Sequence, residues 1–534
     1  MTVMKDQDPD RRTVLKEAGA LAAAGALGGL AGCTGDGDDG GDGSDGSDGG
    51  GSDGSDGGSD GDGMDGGDGS DGSDGSDGDG SDGGDGSDGG GSETVTVDFW
   101  TFLAAENNAT QDRYPQNMST FESQHDNVEV NLNAVNSGDL SQQLPSAVQA
   151  GNAPDLAESG AEGITFWQNE NVADHNAYME ETGLPSDFTE ANLTSAEFRG
   201  DYWSGGGNRH LISLLSVRTH FFKDAGVESP EGIETWTDFR RALDTIAEDN
   251  PNVWAYEETG VGGDLESYWG YARTAHTDGK DPWIRGDPSD PNILIGEEDR
   301  TDGMIKNCID LADTYSSNES AGRSDEEMPS LLLTDQAASF LYGLGSPIRY
   351  RSVRDDVTFG WDGDIWQGPH PRLDANYGEE FGIDELAGHE GQHGGHLWSL
   401  EFQLQAFDQD QSDALKDAAF DLMTFVNTSE EHNVPLLVED YPAVGAYEPV
   451  NETIVDEFAD DLPQIQQNLY TLPGEFGSQY NTTGAAWDVG GTSQIRWTDI
   501  NETISEAIAG QHTMEETPGL IRERVQTTLD EQNF

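Results

Sequence analysis

The alternation of apolar and polar positions predicts strands and helices that follow one another from residue 93 onward. Apolar residues occupy every second position over 95–99 and again over 128–134, which is the period of a strand. Apolar residues recur at helical spacing over 114–121 and over 139–150, and Gly151 is placed to end the second helix. Strands and helices in this order predict a lobe of α/β class.

The same reading continues towards the C-terminus. Residues 210–222 form a long apolar run that resembles a strand and contains Arg218. Residues 235–238 read T-W-T-D, which resembles a capping box at the start of a helix. A further helix is predicted from about Asp413, and two more close the chain.

The first 33 residues have the features of an export signal. The pair Arg11-Arg12 precedes a run of Ala, Gly and Leu over 18–30, which is too short to span a bilayer as a stable helix. Small residues before Cys33 resemble a lipoprotein cleavage site, the lipobox. We therefore predict that 1–33 is a twin-arginine (Tat) signal peptide with a lipobox and that Cys33 carries lipid.

Residues 34–92 form a tether with almost no apolar residue. From Gly35 to Ser92 the chain has 27 Gly, 19 Asp, 11 Ser and one Met. A segment of this composition cannot bury a core, so it is predicted to be disordered. A flexible chain of this length would span roughly 40 Å between a lipid anchor and a globular body.

The net charge of -80 is not confined to the tether, since residues 93–534 hold 82 acidic and 21 basic residues. Such a charge excludes nucleic acid as a direct partner. The aromatic residues lie almost entirely in this region, so it can still bury a core. A very salty medium, in which like charges are screened, favours a halophilic protein from a salt-adapted archaeon. The alternative is an acidic surface that binds calcium.

Five segments resemble a known family. They are V-T-V-D-F-W at 95–100, L-P-S-A-V-Q-A-G-N-A-P-D-L at 144–156, F-F-K-D-A-G-V-E-S-P-E-G-I-E-T-W-T-D-F at 221–239, L-T-D-Q-A-A-S-F-L-Y-G at 333–343, and G-G-H-L-W-S-L at 394–400 leading to 418–426. In this order they are similar to the family 1 extracellular solute-binding proteins of ABC transporters, the maltose-binding-like sugar receptors. Thr219-His220 and Thr334 depart from the family pattern.

The resemblance implies an α/β fold of two lobes, periplasmic-binding-protein-like (type II), with a hinge of two or three chain crossings. We place the crossings near 214–218, 335–340 and 398–402. The predicted N-terminal lobe is 93–215 plus 340–398, and the predicted C-terminal lobe is 216–339 plus 399–534. Ligand would lie in the cleft between them.

A sugar cleft needs aromatic rings for C–H faces and planar polar groups for hydroxyls. Seven residues are the candidates for ligand binding: Trp100, Asp155, Trp203, Arg218, Trp269, Tyr342 and Trp398. For each Trp the alternative is core packing, for Asp155 a turn cap, and for Arg218 a structural ion pair.

The function implied is capture of a sugar or oligosaccharide and its delivery to an ABC permease, by a monomer anchored through Cys33 at the extracellular face of the membrane. No catalytic residue, metal ligand or cofactor is predicted. One alternative keeps the architecture but binds a peptide, polyamine or other non-sugar solute. Another is a secreted zinc hydrolase, because His389 to His393 reads H-E-x-x-H. Glycines around this motif argue against the helix that zinc binding needs.

Eight asparagines open the sequence N-x-S/T, and an exported protein could carry glycans on some of them. They are Asn108, Asn117, Asn192, Asn318, Asn427, Asn451, Asn481 and Asn501. The sequence does not indicate which of them are occupied.

Overall fold

The computed structural model describes residues 94–531, except for 161, 260–272, 277–282, 288–289, 395, 399–402, 409–410 and 477–493. The predicted signal peptide, Cys33, the tether and Trp269 lie outside the described residues. The strands are β1 (Val95–Thr101), β2 (Val128–Ala134), β3 (Leu156–Ser159), β4 (Glu197–Phe198), β5 (Asp201–Tyr202), β6 (Arg209–Arg218), β7 (Ile284–Asp287), β8 (Asp290–Ile293), β9 (Ser339–Gly343), β10 (Ile365–Gly368), β11 (His396–Trp398), β12 (Gln403–Ala406) and β13 (Val444–Gly445).

The α-helices and the two π-helical segments surround these strands. The α-helices are Leu103–Glu106, Asn108–Gln124, Ser137–Gln149, Glu162–Gln168, His175–Thr182, Glu190–Ala196, Thr219–Asp224, Trp236–Asp249, Asp299–Tyr315, Met328–Leu333, Pro347–Arg351, Tyr377–Phe381, Asp413–Thr428, Glu430–Pro435, Glu448–Phe458, Gln464–Phe476, Thr503–Ile508 and Thr517–Glu531. The π-helical segments are Leu436–Asp440 and Gln494–Glu502.

The first sheet has the strand order β12-β3-β1-β2. β1 is parallel to β2, with Val95 opposite Val128, and parallel to β3, with Phe99 opposite Leu156. β12 closes the other edge in the antiparallel direction. The two period-two runs predicted from sequence are therefore confirmed as neighbouring strands, and helices connect them as expected for parallel pairing.

The second sheet is built around β6, whose ten residues are all buried. β9, β10, β11 and β13 all pair with β6 in the antiparallel direction. The strand predicted over 210–222 was too long, because the chain turns into the helix Thr219–Asp224 directly after Arg218. The helix predicted after Thr235 is confirmed, and the Thr235 side chain caps it by accepting from the Asp238 backbone N–H.

Among the described residues, the three largest of five apolar clusters form most of the core. One lies around the first sheet and includes Phe99, Tyr114 and Leu422. A second packs the C-terminal half of β6 against the helices that follow it and includes Trp236. The third contains residues from both regions, among them Phe102. The core therefore has one centre on each sheet and a layer that joins them.

The predicted lobe limits stay a prediction, although one pairing does not follow them. β12 belongs to the segment 399–534 that was assigned to the C-terminal lobe, yet it pairs with β3 of the first sheet. The chain thus passes from β11 in the second sheet to β12 in the first sheet through 399–402. The sequence shows where this crossing falls but not which sheet receives the next strand.

Candidate functional site

An open cavity of about 270 Å³ lies between segments that are distant in the sequence. One wall comes from the chain just beyond β1 and from the end of the π-helical segment, and the other comes mainly from the helix Pro347–Arg351. The lining residues are Glu106, Asn107, Glu326, Ser346, Ile348, Arg349, Ser352, Asp440 and Tyr441. The carboxyl end of a parallel strand is where open α/β sheets place their ligands, and the lining residues Glu106 and Asn107 lie at the end of the short helix that follows β1.

Asn107 holds the first wall together. Its side-chain oxygen accepts from the backbone N–H groups of Ala109 and Thr110 at 2.8 and 3.0 Å, which caps the helix Asn108–Gln124. Its side-chain nitrogen donates to the backbone oxygen of Asp440 at 3.1 Å. One amide therefore joins the two segments of this wall, and the carboxylate of Asp440 also pairs with Arg113.

A buried ion pair lies behind this wall. Arg209 donates to Glu158 at 2.9 Å, and both side chains are almost completely removed from solvent. The Arg209 guanidinium lies 5.2 Å from the Phe102 ring centre and 5.4 Å from that of Tyr441, distances typical of a cation–π contact. Burial, the largest single influence, would lower the pKa of Arg209, but the charge of Glu158, the hydrogen bond to it and the neighbouring Tyr114 and Tyr441 together outweigh burial, so the pKa is raised. The guanidinium thus stays charged and supports the aromatic ring that lines the cavity.

Tyr350, a buried residue of the helix Pro347–Arg351, anchors the opposite wall. Its hydroxyl donates to the Ser216 hydroxyl at 3.2 Å, and Gln367 donates to both hydroxyls at 2.8 and 3.1 Å. This anchor fixes the helix on β6 and β10. Ser346 and Arg349, on the same segment, remain half-buried at the cavity.

The cavity offers an aromatic ring, carboxylates, an amide, a guanidinium and hydroxyls. A ring covers the C–H face of a small solute, and planar polar groups hydrogen-bond to its hydroxyls. These are the groups that reversible binding of a polyhydroxylated molecule requires.

The H-E-x-x-H segment is not helical in this structure. His389 Nδ1 accepts from Arg300 Nε at 3.1 Å, and His393 Nδ1 lies 3.2 Å from the backbone oxygen of His370. Within the part of the chain that the structure describes, no group of three or more His, Cys, Asp or Glu side chains is arranged to hold a metal ion. The geometry that a zinc hydrolase needs is therefore not formed by these histidines.

Of the residues predicted to bind ligand, Asp155 and Arg218 make internal polar contacts. Asp155 accepts from the Asp98 backbone N–H at 2.8 Å and from the side chain of Gln411. Burial, its largest influence, raises the pKa of Asp155. Arg218 pairs with Asp335 at 2.9 Å and with Asp364 at 2.7 Å. The contacts of Arg218 are the structural ion pair considered as its alternative, whereas those of Asp155 join it to β1 and to Gln411 and are not a turn cap. A role of either residue in ligand binding stays a prediction.

The predicted aromatic residues are scattered. Trp203 is fully buried and donates to the Ser195 backbone oxygen at 2.8 Å. Trp100 is half-buried on β1 and packs against the apolar cluster that joins the two sheets. Tyr342 lies on β9, and Trp398 lies on β11 opposite Leu211. Trp203 and Trp100 are not among the residues that line the cavity described above, and the role of all four residues in binding stays a prediction.

Sequence reasoning did not find the cavity residues. Glu106 and Asn107 follow the first strand by a few positions, so the carboxyl-end rule could have indicated them. Residues 346–352 and 440–441 come from segments without a motif, and only the fold brings them to the same place.

Residues 104–363 match the family model described as bacterial extracellular solute-binding protein. Over these 260 of its 534 residues, just under half of the chain, the protein is similar to that family. Among solved structures, the ABC transporter solute-binding protein of Thermotoga lettingae, bound with alpha-D-tagatose, superposes with a TM-score of 0.60 at 16% identity, covering 82% of this chain and 100% of the other. A sugar transporter protein of Arthrobacter chlorophenolicus with bound laminaribiose gives 0.59 at 13% identity, covering 81% and 99%.

Maltose-bound MalE3 of T. maritima gives a TM-score of 0.58 at 13% identity and covers 82% of this chain and 100% of its own. At these identities the likeness shows the fold, which is that of the two-lobe periplasmic binding proteins. No curated protein sequence matches this chain closely enough to count as a relative. In the part of the chain that the structure describes, no helix is long and apolar enough to cross a membrane.

Proposed function

We propose that this solute-binding protein captures a sugar or oligosaccharide between its lobes and delivers it to the permease of an ABC importer, without catalysing a reaction. The observation that carries the proposal is the cavity with Tyr441 and Asn107 on one wall and Ser346 and Arg349 on the other. The family match supports the transport role. The sugars bound by the structurally similar proteins support the carbohydrate class.

We further propose that the protein works as a monomer on the extracellular face of the membrane, exported by the Tat route and anchored by lipid on Cys33. The order of twin arginines, short apolar run and cysteine supports this, and the tether would give the body reach. The acidic excess of the body supports a saline habitat.

A thermal-shift screen of mono- and oligosaccharides in multimolar salt tests the proposal. A ligand that binds only the folded state stabilises it by about 2.7 kcal/mol when present at 100 times its Kd. We expect at least one neutral sugar to raise Tm in a concentration-dependent way. If peptides or polyamines raise Tm and no sugar does, the carbohydrate assignment fails.

A matched pair of variants then locates the site. Glu106→Gln removes a carboxylate that lines the cavity, and Glu129→Gln removes an exposed one on β2. Losing a charged hydrogen bond to a hydroxyl costs about 1.5–3 kcal/mol, so Glu106→Gln should weaken sugar binding roughly tenfold or more. Glu129→Gln should leave it unchanged, and equal effects of the two would place the site elsewhere.

A further inference from the structure

We propose that Asn318 is an N-glycosylation site of the exported protein. The structure describes seven of the eight N-x-S/T asparagines, and Asn481 lies outside the described residues. Because an attached glycan must project into solvent, the exposure and the hydrogen bonds of each asparagine decide which can carry one. The inference depends on export of the chain and not on the identity of the solute.

Four of the asparagines are buried and cannot carry a glycan in the folded protein. Asn192 and Asn427 are 0% exposed, Asn501 is 1% exposed and Asn117 is 7% exposed. Asn192 exchanges hydrogen bonds with the backbone of Gly207, and Asn427 donates to the backbone of Gly205. A glycan on any of these nitrogens would have to displace packed core.

Asn451 is excluded by its hydrogen bonds. Its side-chain nitrogen donates to the Gly445 backbone oxygen at 2.8 Å, and its oxygen accepts from the Gly445 N–H at 2.8 Å. Gly445 belongs to β13, which pairs with the start of β6. A substituent on the Asn451 nitrogen would remove the donated bond and separate this strand from its support.

Asn318 is exposed on a turn, and the residue before it is hydrogen-bonded to a buried carboxylate. Ser317 donates to the buried carboxylate of Glu257 from its backbone N–H at 2.8 Å and from its hydroxyl at 2.5 Å. Arg323 donates to the same carboxylate at 2.7 Å. Among the described residues, nothing hydrogen-bonds to the Asn318 side chain, so a glycan there displaces only solvent.

Asn108 is also exposed, but it differs from Asn318 in the state of the Ser or Thr two positions later, which is Thr110 for Asn108 and Ser320 for Asn318. Enzymes that transfer the glycan read the hydroxyl of this Ser or Thr. The Thr110 hydroxyl donates to the Asn107 backbone oxygen at 2.9 Å and accepts from its N–H at 3.2 Å, within the cap of a 17-residue helix. The Ser320 side chain makes no hydrogen bond within the described residues, and the 3₁₀ turn that starts at Ser320 has only three residues. Ser320 is buried, so its three-residue turn must open locally for transfer while Ser317 stays bound to Glu257, and a turn this short opens at low cost.

The donor is an oligosaccharide linked through phosphate to a polyprenol lipid. The Asn318 side-chain nitrogen forms a bond to the first sugar carbon as the bond from that carbon to the phosphate oxygen breaks. The phosphate leaves with the electron pair, and the amide loses one proton.

Mass spectrometry of the protein isolated from the surface of the cells that naturally produce it tests the proposal. We expect a glycopeptide that contains Asn318 and unmodified peptides for the four buried asparagines and for Asn451. Asn318→Gln and Ser320→Ala should each remove the corresponding mass from the intact protein, whereas Ser320→Thr should retain it. Asn108→Gln is the matched control and should retain the mass of the glycan.

Two results would overturn the proposal. One is an unmodified Asn318 in protein isolated from its own cells, which includes the case in which Asn108 alone is modified. The other is a glycan on one of the buried asparagines of folded protein, since burial would then not decide occupancy. Circular dichroism of each variant confirms that a lost mass reflects the acceptor and not an unfolded chain.

Discussion

Replacing Arg209 with Met tests how the wall behind the cavity is stabilised. Arg209 and Glu158 are both buried and joined at 2.9 Å, and Glu158 also accepts from the Phe102 N–H at 2.9 Å and from the Thr101 hydroxyl. Arg209→Met leaves the Glu158 carboxylate without its cation in the interior. Breaking a buried pair in this way costs about 3–5 kcal/mol in the free energy of unfolding.

The double variant Arg209→Met with Glu158→Gln separates loss of the pair from loss of packing. Gln is uncharged and can still accept from the Phe102 N–H, so the double variant should recover most of the stability lost in the single variant. Arg241→Met is the matched control, because Arg241 makes an exposed two-point pair with Glu380 at 2.7 and 2.6 Å. An exposed pair contributes about 0–1 kcal/mol, and salt weakens it further.

Urea unfolding followed by tryptophan fluorescence, at low and at multimolar salt, measures these differences. We expect the Arg209→Met penalty to persist at high salt, because a buried pair is screened far less than an exposed one. The reasoning is refuted if Arg209→Met costs under about 1 kcal/mol, or if the double variant is no more stable than the single variant.

Three further predictions concern the buried histidines, Gly345 and the removal of metal ions. Burial lowers the pKa of four histidines, His175, His210, His370 and His432, to about 3 or 4. The unfolded chain therefore binds protons first as pH falls below ~6.5, and the free energy of unfolding should fall by up to about 1.4 kcal/mol per pH unit for each histidine. Urea unfolding at pH 7.5 and 5.5 measures this loss, and equal stability at the two pH values would contradict it. Gly345→Ala should destabilise the protein by about 1–3 kcal/mol in urea unfolding and weaken sugar binding, because Gly345 has a φ of +66° and a Cβ there would clash with the Leu469 side chain. Gly151→Ala, at φ +72° with open space around it, controls for backbone strain. Prolonged chelation should change neither Tm nor sugar binding, and a loss of either that zinc restores would revive the hydrolase alternative.

The sequence predicted β1, β2 and the helix after Thr235 well because the signals for these elements are local. The period-two runs over 95–99 and 128–134 and the cap at Thr235 each depend on residues a few positions apart, and the structure contains the corresponding elements. The run over 210–222 could not be divided in advance, because its apolar residues continue unchanged from the strand into the helix that begins at Thr219.

The candidate site was much less predictable, because its residues share no local pattern. Trp203 is of a residue type that often stacks on sugars, yet its side chain packs beside Gly163 in the core. Tyr441 lines the cavity only because a π-helical segment ends there and Arg209 lies behind the ring. Whether an aromatic ring faces the core or a cavity depends on residues hundreds of positions away.

Two of the few basic residues in the body, Arg209 and Arg323, form ion pairs in the protein interior. The body has 21 bases against 82 acids, so chance pairing at the surface would use most of them there. Arg209 and Arg323 each neutralise a buried carboxylate, Glu158 and Glu257, whereas other bases pair with more exposed acids, as Arg241 does with Glu380. At ~1 M salt the Debye length is about 3 Å, so exposed pairs would lose most of their attraction while these two keep theirs. In the proposed saline medium, the charge interactions that specify the fold are therefore the few that the medium cannot reach.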